Sequence, residues 1–177
     1  TPVMQLLVVG AGEMGRWLAD TLAPRVDGVA FADRDAAAAE AAARGQTGVE
    51  SRAVALETGA SFDVVALAVP IPAVGAAVRS HAPNATGALV DVTGAMEPAL
   101  EAMERHAVSE YASFHPLFAP PRAPGRVAYV PGDPGGTVGR VRSAMTDAGN
   151  EVFETTAADH DTAMESVQTK AHAAVLA

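Results

Sequence analysis

Short apolar runs alternate along the chain with longer stretches in which apolar residues recur three and four positions apart. The apolar runs predict strands at residues 4–9, 28–32, 62–69, 87–92, 110–114, 126–130 and 150–155. The periodic stretches predict helices at residues 14–23, 35–44, 51–58, 73–81, 98–106, 137–148 and 159–177. This alternation indicates an α/β protein, and the almost continuously apolar run at 62–69 indicates a parallel strand buried on both faces.

A glycine-rich loop joins the first predicted strand to the first predicted helix. Its sequence is Gly10-Ala11-Gly12-Glu13-Met14-Gly15. In that context Gly-x-Gly-x-x-Gly is typical of the phosphate-binding turn of a dinucleotide fold, because Gly12 lets the backbone approach a pyrophosphate and the helix N-terminus favours its charge. We therefore predict that all six residues bind a dinucleotide in a Rossmann-type fold, doubly wound, with a mostly parallel sheet and helices on both faces. A glycine-rich loop of some other α/β protein is the alternative.

The residue at the end of the second predicted strand indicates which dinucleotide binds. Asp33 follows the glycines by about 20 residues, where a carboxylate would accept hydrogen bonds from the ribose hydroxyls and repel a 2′-phosphate. Asp33 therefore favours NAD, although the neighbouring Arg34 could pair with the 2′-phosphate of NADP. A loop acid or helix N-cap is the alternative role for Asp33. Val69, Pro70 and Thr93 follow later strands and are expected to line the same cleft.

Composition narrows the class of partners. The formal net charge is −9, only Lys170 among twelve basic residues is a lysine, and the acids are dispersed, so nucleic acid is not an expected partner. The chain contains no cysteine, which excludes disulfides and thiolate sites, and its histidines lack metal-ligand spacing. No apolar run is long enough to cross a membrane, and the first residues do not resemble an export signal. We expect a cytoplasmic protein without a resident metal.

The last predicted helix, at residues 159–177, differs from the others because its sequence has no breaker and no C-terminal cap. Thr156 and Asp159 have the spacing of a helix start. The apolar side of this helix would remain incompletely buried. We therefore predict a dinucleotide-binding domain at residues 1–156 and, at residues 157–177, the first helix of a truncated or disordered helical domain of a longer natural protein.

Five stretches, in this order, resemble the prephenate and arogenate dehydrogenases of tyrosine biosynthesis. They are Gly10-Ala11-Gly12-Glu13-Met14-Gly15, Ala68-Val69-Pro70-Ile71, Leu89-Val90-Asp91-Val92, Phe114-His115-Pro116-Leu117-Phe118 and the helical pattern His160-Asp161-x-x-Met164-x-x-Val167-Gln168-x-x-x-His172. The resemblance covers essentially the whole chain, and its last two stretches are the most specific. It implies a Rossmann domain followed by an all-helical domain that forms a homodimer.

The resemblance implies the NAD-dependent oxidative decarboxylation of prephenate to 4-hydroxyphenylpyruvate, or of arogenate to tyrosine. His115 would be the catalytic base that accepts the hydroxyl proton of the substrate, and its place after a strand at the predicted active edge fits that role independently. The alternative is a histidine that caps a turn before Pro116. Gln168 and His172 would line the substrate pocket, whereas without the resemblance a polar stripe facing solvent is the preferred interpretation.

The chain departs from the family at one position of the predicted site. Family members usually carry a serine that hydrogen-bonds among the catalytic histidine, the substrate hydroxyl and the nicotinamide, and this chain has Gly94 there. Thr93, one position earlier, is the candidate substitute, so both residues are predicted to lie at the substrate. The loss of one such hydrogen bond would cost about 1–3 kcal/mol of transition-state stabilisation and would slow the reaction.

Two other functions remain open from the sequence. A small Rossmann dehydrogenase of the hydroxyisobutyrate type uses a catalytic lysine in its helical domain, and Lys170 lies on the last predicted helix. A non-catalytic dinucleotide-binding or regulatory domain would account for Gly94.

Overall fold

The computed structural model describes residues 3–176, which fold around one eight-stranded sheet. The strands are β1 (Gln5–Val9), β2 (Gly28–Ala32), β3 (Glu50–Ala53), β4 (Phe62–Leu67), β5 (Ala85–Asp91), β6 (Glu110–Pro116), β7 (Arg126–Asp133) and β8 (Glu151–Glu154). The α-helices are α1 (Glu13–Leu22), α2 (Ala36–Gly45), α3 (Val74–His81), α4 (Met96–His106), α5 (Gly136–Asp147) and α6 (Ala157–Leu176). Short 3₁₀ turns lie at Ala23–Arg25, Ile71–Ala73, Ala82–Asn84 and Pro120–Arg122.

The strand order across the sheet is β3-β2-β1-β4-β5-β6-β7-β8. The first six strands in this order are parallel to one another, whereas β7 runs antiparallel to β6 and β8 runs parallel to β7. The strand order therefore reverses between β1 and β4, and the connection from β3 to β4 crosses from one half of the sheet to the other. This doubly wound Rossmann arrangement confirms the predicted fold, and the ligand crevice of such a sheet lies at the carboxyl ends of β1 and β4.

Helices cover both faces of the sheet because its central strands have two apolar sides. In β1, Leu6 and Val8 pack into one hydrophobic cluster, and Leu7 and Val9 pack into the other, as side chains that alternate along a strand must. The first cluster includes residues of α1 and α5, and the second includes residues of α3 and α4. Both clusters extend across β4 and β5, so the carboxyl ends of these strands are held rigidly relative to one another.

The prediction for residues 51–58 is wrong. This stretch was expected to be helical, but it begins in β3 and continues as a loop. The reason is tertiary: β2 offers a free edge to the chain, and Ser51 aligns with Val29 in a parallel ladder. Helical propensity over so few residues is weak compared with the hydrogen bonds of a sheet edge.

His81, the last residue of α3, is a buried histidine. His81 is only 3% exposed, and its Nδ1 lies 3.3 Å from Oδ1 of Asn84. The amide of Asn84 donates to the carbonyls of Thr58 and Ala60, so the turn after α3 folds back on the loop that precedes β4. Burial lowers the pKa of His81, which fits a structural role for its neutral ring.

The last predicted helix is confirmed as α6. Its start is fixed by Thr156, whose Oγ1 accepts the N–H of Asp159 at 3.1 Å. His160 is the buried residue of this helix, and every residue from 165 to 176 is exposed. The assignment of residues 157–177 to a separate domain stays a prediction, and Ala177 lies outside the described residues. None of the helices in residues 3–176 combines the length and the apolar composition that a membrane span requires.

The glycine loop provides a test of the packing between β1 and α1. A Cβ at Gly15 would lie 1.9 Å from the carbonyl oxygen of Gly10, whereas none of the described residues comes within 4 Å of a Cβ at Gly12. We expect Gly15→Ala to lower the free energy of unfolding by about 2–4 kcal/mol, because backbone must move to admit the methyl group. Gly12→Ala is the matched control, with an expected loss of about 1 kcal/mol or less. Urea unfolding of both variants measures the difference, and equal losses would contradict this account of Gly15.

Candidate active site at the carboxyl edge of the sheet

The predicted site residues of the Rossmann domain converge on one edge of the sheet. The glycine loop follows β1, Asp33 follows β2, Val69 and Pro70 follow β4, and Thr93 follows β5. His115 is the next-to-last residue of β6. Ser113 aligns with Asp91, the last residue of β5, so His115 lies beyond the end of β5, near the turn that contains Thr93. The topology therefore brings the predicted base to the predicted cofactor cleft.

The glycine loop has the shape that a pyrophosphate requires. Gly10 adopts a φ of 103°, and its N–H donates to the carbonyl of Ala32 at 2.8 Å. A Cβ at Gly10 would lie 2.1 Å from the carbonyl oxygen of Ala68, so the loop lies directly against the end of β4. Gly12, by contrast, is exposed and has no side chain to cap α1, which leaves the first N–H groups of that helix for an anion. These residues fit a dinucleotide.

Asp33 is tied to the same loop. Its Oδ2 accepts the N–H of Ala11 at 2.8 Å, and its Oδ1 accepts the N–H of Asp35 at 2.8 Å. The carboxylate is therefore held beside the glycines, and each oxygen keeps a lone pair for a further donor. Arg34 is exposed next to it. The geometry fits ribose hydroxyls at Asp33, and it leaves the Arg34 guanidinium accessible to a 2′-phosphate.

His115 is the first member of a hydrogen-bonded series that ends in a helix N-terminus. Its Nδ1 lies 2.7 Å from Nε2 of His160, and Nδ1 of His160 lies 2.7 Å from Oδ1 of Asp161. The Asp161 carboxylate also accepts the N–H groups of Met96 and Glu97, both at 2.9 Å, at the start of α4. One residue pair of α6 thus joins the catalytic candidate to α4, and we call His115, His160 and Asp161 the imidazole series.

The electrostatic environment keeps His115 neutral and Asp161 ionised. Burial, helped by the nearby His160, lowers the pKa of His115 to about 4, although the Asp161 charge opposes the shift. Burial on its own would raise the pKa of Asp161, but the N–H groups of Met96 and Glu97 and the bond from His160 outweigh it, so the net shift is downward. The neutral imidazole has a lone pair that can accept a proton, but a pKa of about 4 makes it a weaker base than a histidine that titrates near neutral pH.

Gly94 leaves a gap over the other nitrogen of His115. A Cβ at Gly94 would lie 3.6 Å from Nε2 of His115 and 3.6 Å from Cδ1 of Ile71. The Thr93 hydroxyl does not fill this gap: Thr93 is only 4% exposed, and its Oγ1 contacts Oδ2 of Asp91 and the carbonyl of Ala95. The single hydroxyl proton of Thr93 is therefore used within its own turn, and the predicted donation to a substrate has no support in this geometry.

Asp91 is a second group with a strongly perturbed ionisation. It is fully buried, and burial raises its pKa to about 6 even though the Thr93 hydroxyl and N–H donate to it. Its Oδ1, like the hydroxyl of the neighbouring Ser113, has no hydrogen-bond partner among the described residues. Asp91 holds the Thr93–Gly94 turn in place, so it supports the site from below the cleft.

The described chain does not bring the remaining predicted residues to His115. Gln168 and His172 are exposed on α6, and the helical rise places them about 12 and 18 Å along the helix from His160. Lys170 is exposed on the same segment. Their roles at a substrate stay predictions. Among residues 3–176, no group of three or more His, Asp or Glu side chains is arranged to hold a metal ion.

The sequence did not indicate the roles of His160 and Asp161 in the imidazole series. One signal was present: the residue that precedes α4 is Ala95, whose methyl side chain cannot cap a helix, so the cap has to come from elsewhere in the chain. The length of the intervening segment hides this partner, because Asp161 is 65 residues from Met96.

Comparison with known proteins identifies the family. A family model described as the nucleotide-binding domain of prephenate dehydrogenase matches residues 21–129, which include Asp33, Gly94 and His115. The chain belongs to the prephenate dehydrogenase family. No curated protein sequence matches the chain significantly. The family match covers most of the Rossmann domain, and the glycine loop and α6 lie outside it.

Solved structures share the fold at low identity. The prephenate dehydrogenase of Aquifex aeolicus, in complex with hydroxyphenyl propionate and NAD⁺, has a TM-score of 0.72 at 16% identity over 91% of this chain and 63% of its own. The Synechocystis arogenate dehydrogenase has a TM-score of 0.71 at 23% identity over 90% and 62%. A reductive aminase from Aspergillus terreus, in complex with NADPH, has a TM-score of 0.68 at 16% identity over 99% and 64%. The chain spans less than two thirds of the length of each of these proteins.

The buried carboxyl of this prephenate dehydrogenase-type domain predicts a pH-dependent effect. The folded-state pKa of Asp91 is raised from 3.8 to about 6, so its contribution to stability is present below the unfolded value and is lost as the pH rises through about 6. We expect the free energy of unfolding of Asp91→Asn, relative to that of the wild-type protein, to be higher by about 2–3 kcal/mol at pH 7.5 than at pH 4. Urea unfolding of both proteins across this range measures the difference, from which the shared contribution of His115 cancels. A pH-independent difference would contradict the assignment.

Proposed function

We propose that the chain is the cofactor-binding and proton-accepting part of an NAD-dependent dehydrogenase that oxidatively decarboxylates prephenate or arogenate. The observation that carries the proposal is the position of His115, whose Nε2 faces the open space at Gly94 while its Nδ1 is held by His160. The family match and the structural likeness to prephenate and arogenate dehydrogenases support it.

The chemistry follows from what these residues can do. A bound nicotinamide ring would supply the acceptor for the hydride that leaves the ring carbon bearing the hydroxyl. As that hydride departs, Nε2 of His115 accepts the hydroxyl proton. Without this transfer, the new carbonyl would remain protonated and would carry a positive charge. The ring carboxylate then leaves as carbon dioxide, its bonding electrons make the ring aromatic, and the proton on His115 returns to the phenolate oxygen or to solvent.

NAD is the proposed cofactor, and NADP is the less favoured one. The Asp33 carboxylate, fixed beside the glycine loop by the N–H of Ala11, would accept from ribose hydroxyls and repel a 2′-phosphate. One structural neighbour contains NAD⁺ and another contains NADPH, so likeness of fold does not separate the two. Exposed Arg34 is the residue that would favour NADP.

Three parts of the proposal come from the family resemblance. Gln168 and His172 would line the substrate pocket together with the rest of a helical domain, and that domain would form a homodimer. The protein would act in tyrosine biosynthesis, and its expected cytoplasmic location comes from the sequence and not from the resemblance. The exposed face of α6 after residue 165 is compatible with such a partner domain, which would bury it.

Substitution of His115 tests the function. We expect His115→Asn in the complete protein to lower kcat by about 10²–10⁴-fold with prephenate or arogenate, because the general base is removed, while the Kd for NAD stays unchanged. His106→Asn is the matched control, since His106 is an exposed histidine of α4. Steady-state rates with both substrates and both cofactors measure the effect. Unchanged turnover in His115→Asn would refute the assignment, and NAD binding without any wild-type turnover would favour a regulatory dinucleotide-binding domain.

Gly94 provides a second test with an internal control. A serine here would place its hydroxyl within reach of Nε2 of His115, whereas an alanine would occupy the same space without a hydrogen bond. We expect Gly94→Ser to raise kcat by about 5- to 150-fold, the equivalent of 1–3 kcal/mol, and Gly94→Ala to leave it unchanged or lower it. Equal effects of the two substitutions would show that the missing hydroxyl does not limit the rate.

A further inference from the structure

The imidazole series also indicates which nitrogen of His115 carries the proton, because the series ends in Asp161, a carboxylate that can only accept hydrogen bonds. Asp161 is an ionised carboxylate that accepts from Met96 and Glu97, and a carboxylate of this kind accepts but does not donate. The 2.7 Å contact between Asp161 and Nδ1 of His160 therefore requires the proton to be on that nitrogen. This fixes the first bond of the series.

The other two nitrogens follow in turn. In the neutral form of His160, a proton on Nδ1 leaves a lone pair on Nε2, and in that form the 2.7 Å contact with His115 requires Nδ1 of His115 to be the donor. A neutral His115 that carries its proton on Nδ1 has its lone pair on Nε2. That nitrogen is the one that faces the gap at Gly94, so the basic atom points into the cleft.

The imidazole series lies in a buried environment. His160 is only 5% exposed, and its ring meets that of His115 edge to face, with an interplanar angle of 84° and a centroid distance of 4.9 Å. The two rings are therefore nearly perpendicular to each other where their nitrogens make the 2.7 Å contact. The electrostatic neighbours that shift the pKa of His115 are His160 and Asp161, and the charge of Asp161 also raises the pKa of the buried Asp91.

We propose that His160 and Asp161 are positioning residues that hold the proton of His115 on Nδ1 and so keep its Nε2 as a free base directed at the substrate. The catalytic consequence rests on the proposed dehydrogenase function, but the tautomer does not. When Nε2 accepts a proton, the Nδ1–H of His115 stays bonded to His160, and the charge that develops faces the Asp161 carboxylate through one imidazole. Asp161 reaches this position because it also caps α4.

Nitrogen NMR tests the tautomer without any turnover. The complete protein is labelled with ¹⁵N-histidine, and the His115 signals are assigned by their loss in His115→Asn. We expect a protonated Nδ1 and an unprotonated Nε2 at pH 7.5, and we expect His160→Leu to abolish this preference because the acceptor is gone. A proton on Nε2 of His115 in the wild-type protein would overturn the proposal, since His160 would then be the donor.

Kinetics of two His160 variants test the consequence. The Oε1 atom of Gln can accept from Nδ1 of His115 and its amide can donate to Asp161, whereas Leu can do neither. We expect His160→Leu to lower kcat by about 100-fold with KM and the Kd for NAD within twofold, and His160→Gln to retain the rate within about tenfold. Equal losses in both variants, with the wild-type tautomer retained, would overturn the positioning role. Variants of His160 are used because Asp161 also caps α4.

The two readouts separate the possible failures. If the protein turns over neither prephenate nor arogenate but shows the expected tautomer, the proposed function is wrong and the positioning role is upheld. If the protein turns over and His115→Asn is inactive, but Nε2 carries the proton, the function stands and the positioning role is wrong. Circular dichroism and urea unfolding confirm that the compared variants are folded.

Discussion

The contact between Asp161 and the start of α4 is the interaction on which the candidate site depends. A helix N-terminus carries unpaired N–H groups and a partial positive charge, and at α4 the preceding Ala95 cannot satisfy them. A carboxylate from α6 does so, with two bonds of 2.9 Å. This interaction secures the first turn of α6 to the Rossmann domain, and the same carboxylate orients His160 against His115. The Asp161 carboxylate therefore both caps α4 and orients the base through His160.

The second constraint is space at the end of β5. Asp91 and Thr93 bind one another within the turn, so the polar side chains of this segment are used to hold the backbone and do not project into the cleft. Gly94 then leaves an open space that is bordered by Nε2 of His115 and by Cδ1 of Ile71. The base is positioned on its Nδ1 side by a continuous series of bonds and is open on its Nε2 side. A substrate hydroxyl would meet His115 with little competition from protein donors.

Much of the fold and part of the site could be predicted from the sequence. The glycine loop, Asp33 and the buried parallel strand at 62–69 are encoded locally, by spacing and by apolar runs, and they lead to a Rossmann fold. The failure occurs where a distant segment decides the structure: residues 51–53 become a strand because the β2 edge is free. The hydrogen bonds of the series from His115 to Asp161 join segments 45 residues apart, so local spacing could not predict them.

Burial reverses the usual order of the pKa values of Asp91 and His115. Burial raises the pKa of Asp91 to about 6 and lowers that of His115 to about 4, so near pH 5 the carboxylic acid and the imidazole are both uncharged. Environments that move two titratable groups in opposite directions are typical of sites in which acid and base roles are divided. Asp161 is the exception, because the N–H groups of α4 stabilise its negative charge. Positive charge that develops on His115 therefore has one nearby counter-charge of fixed position, and the helix that supplies it also determines where the base points.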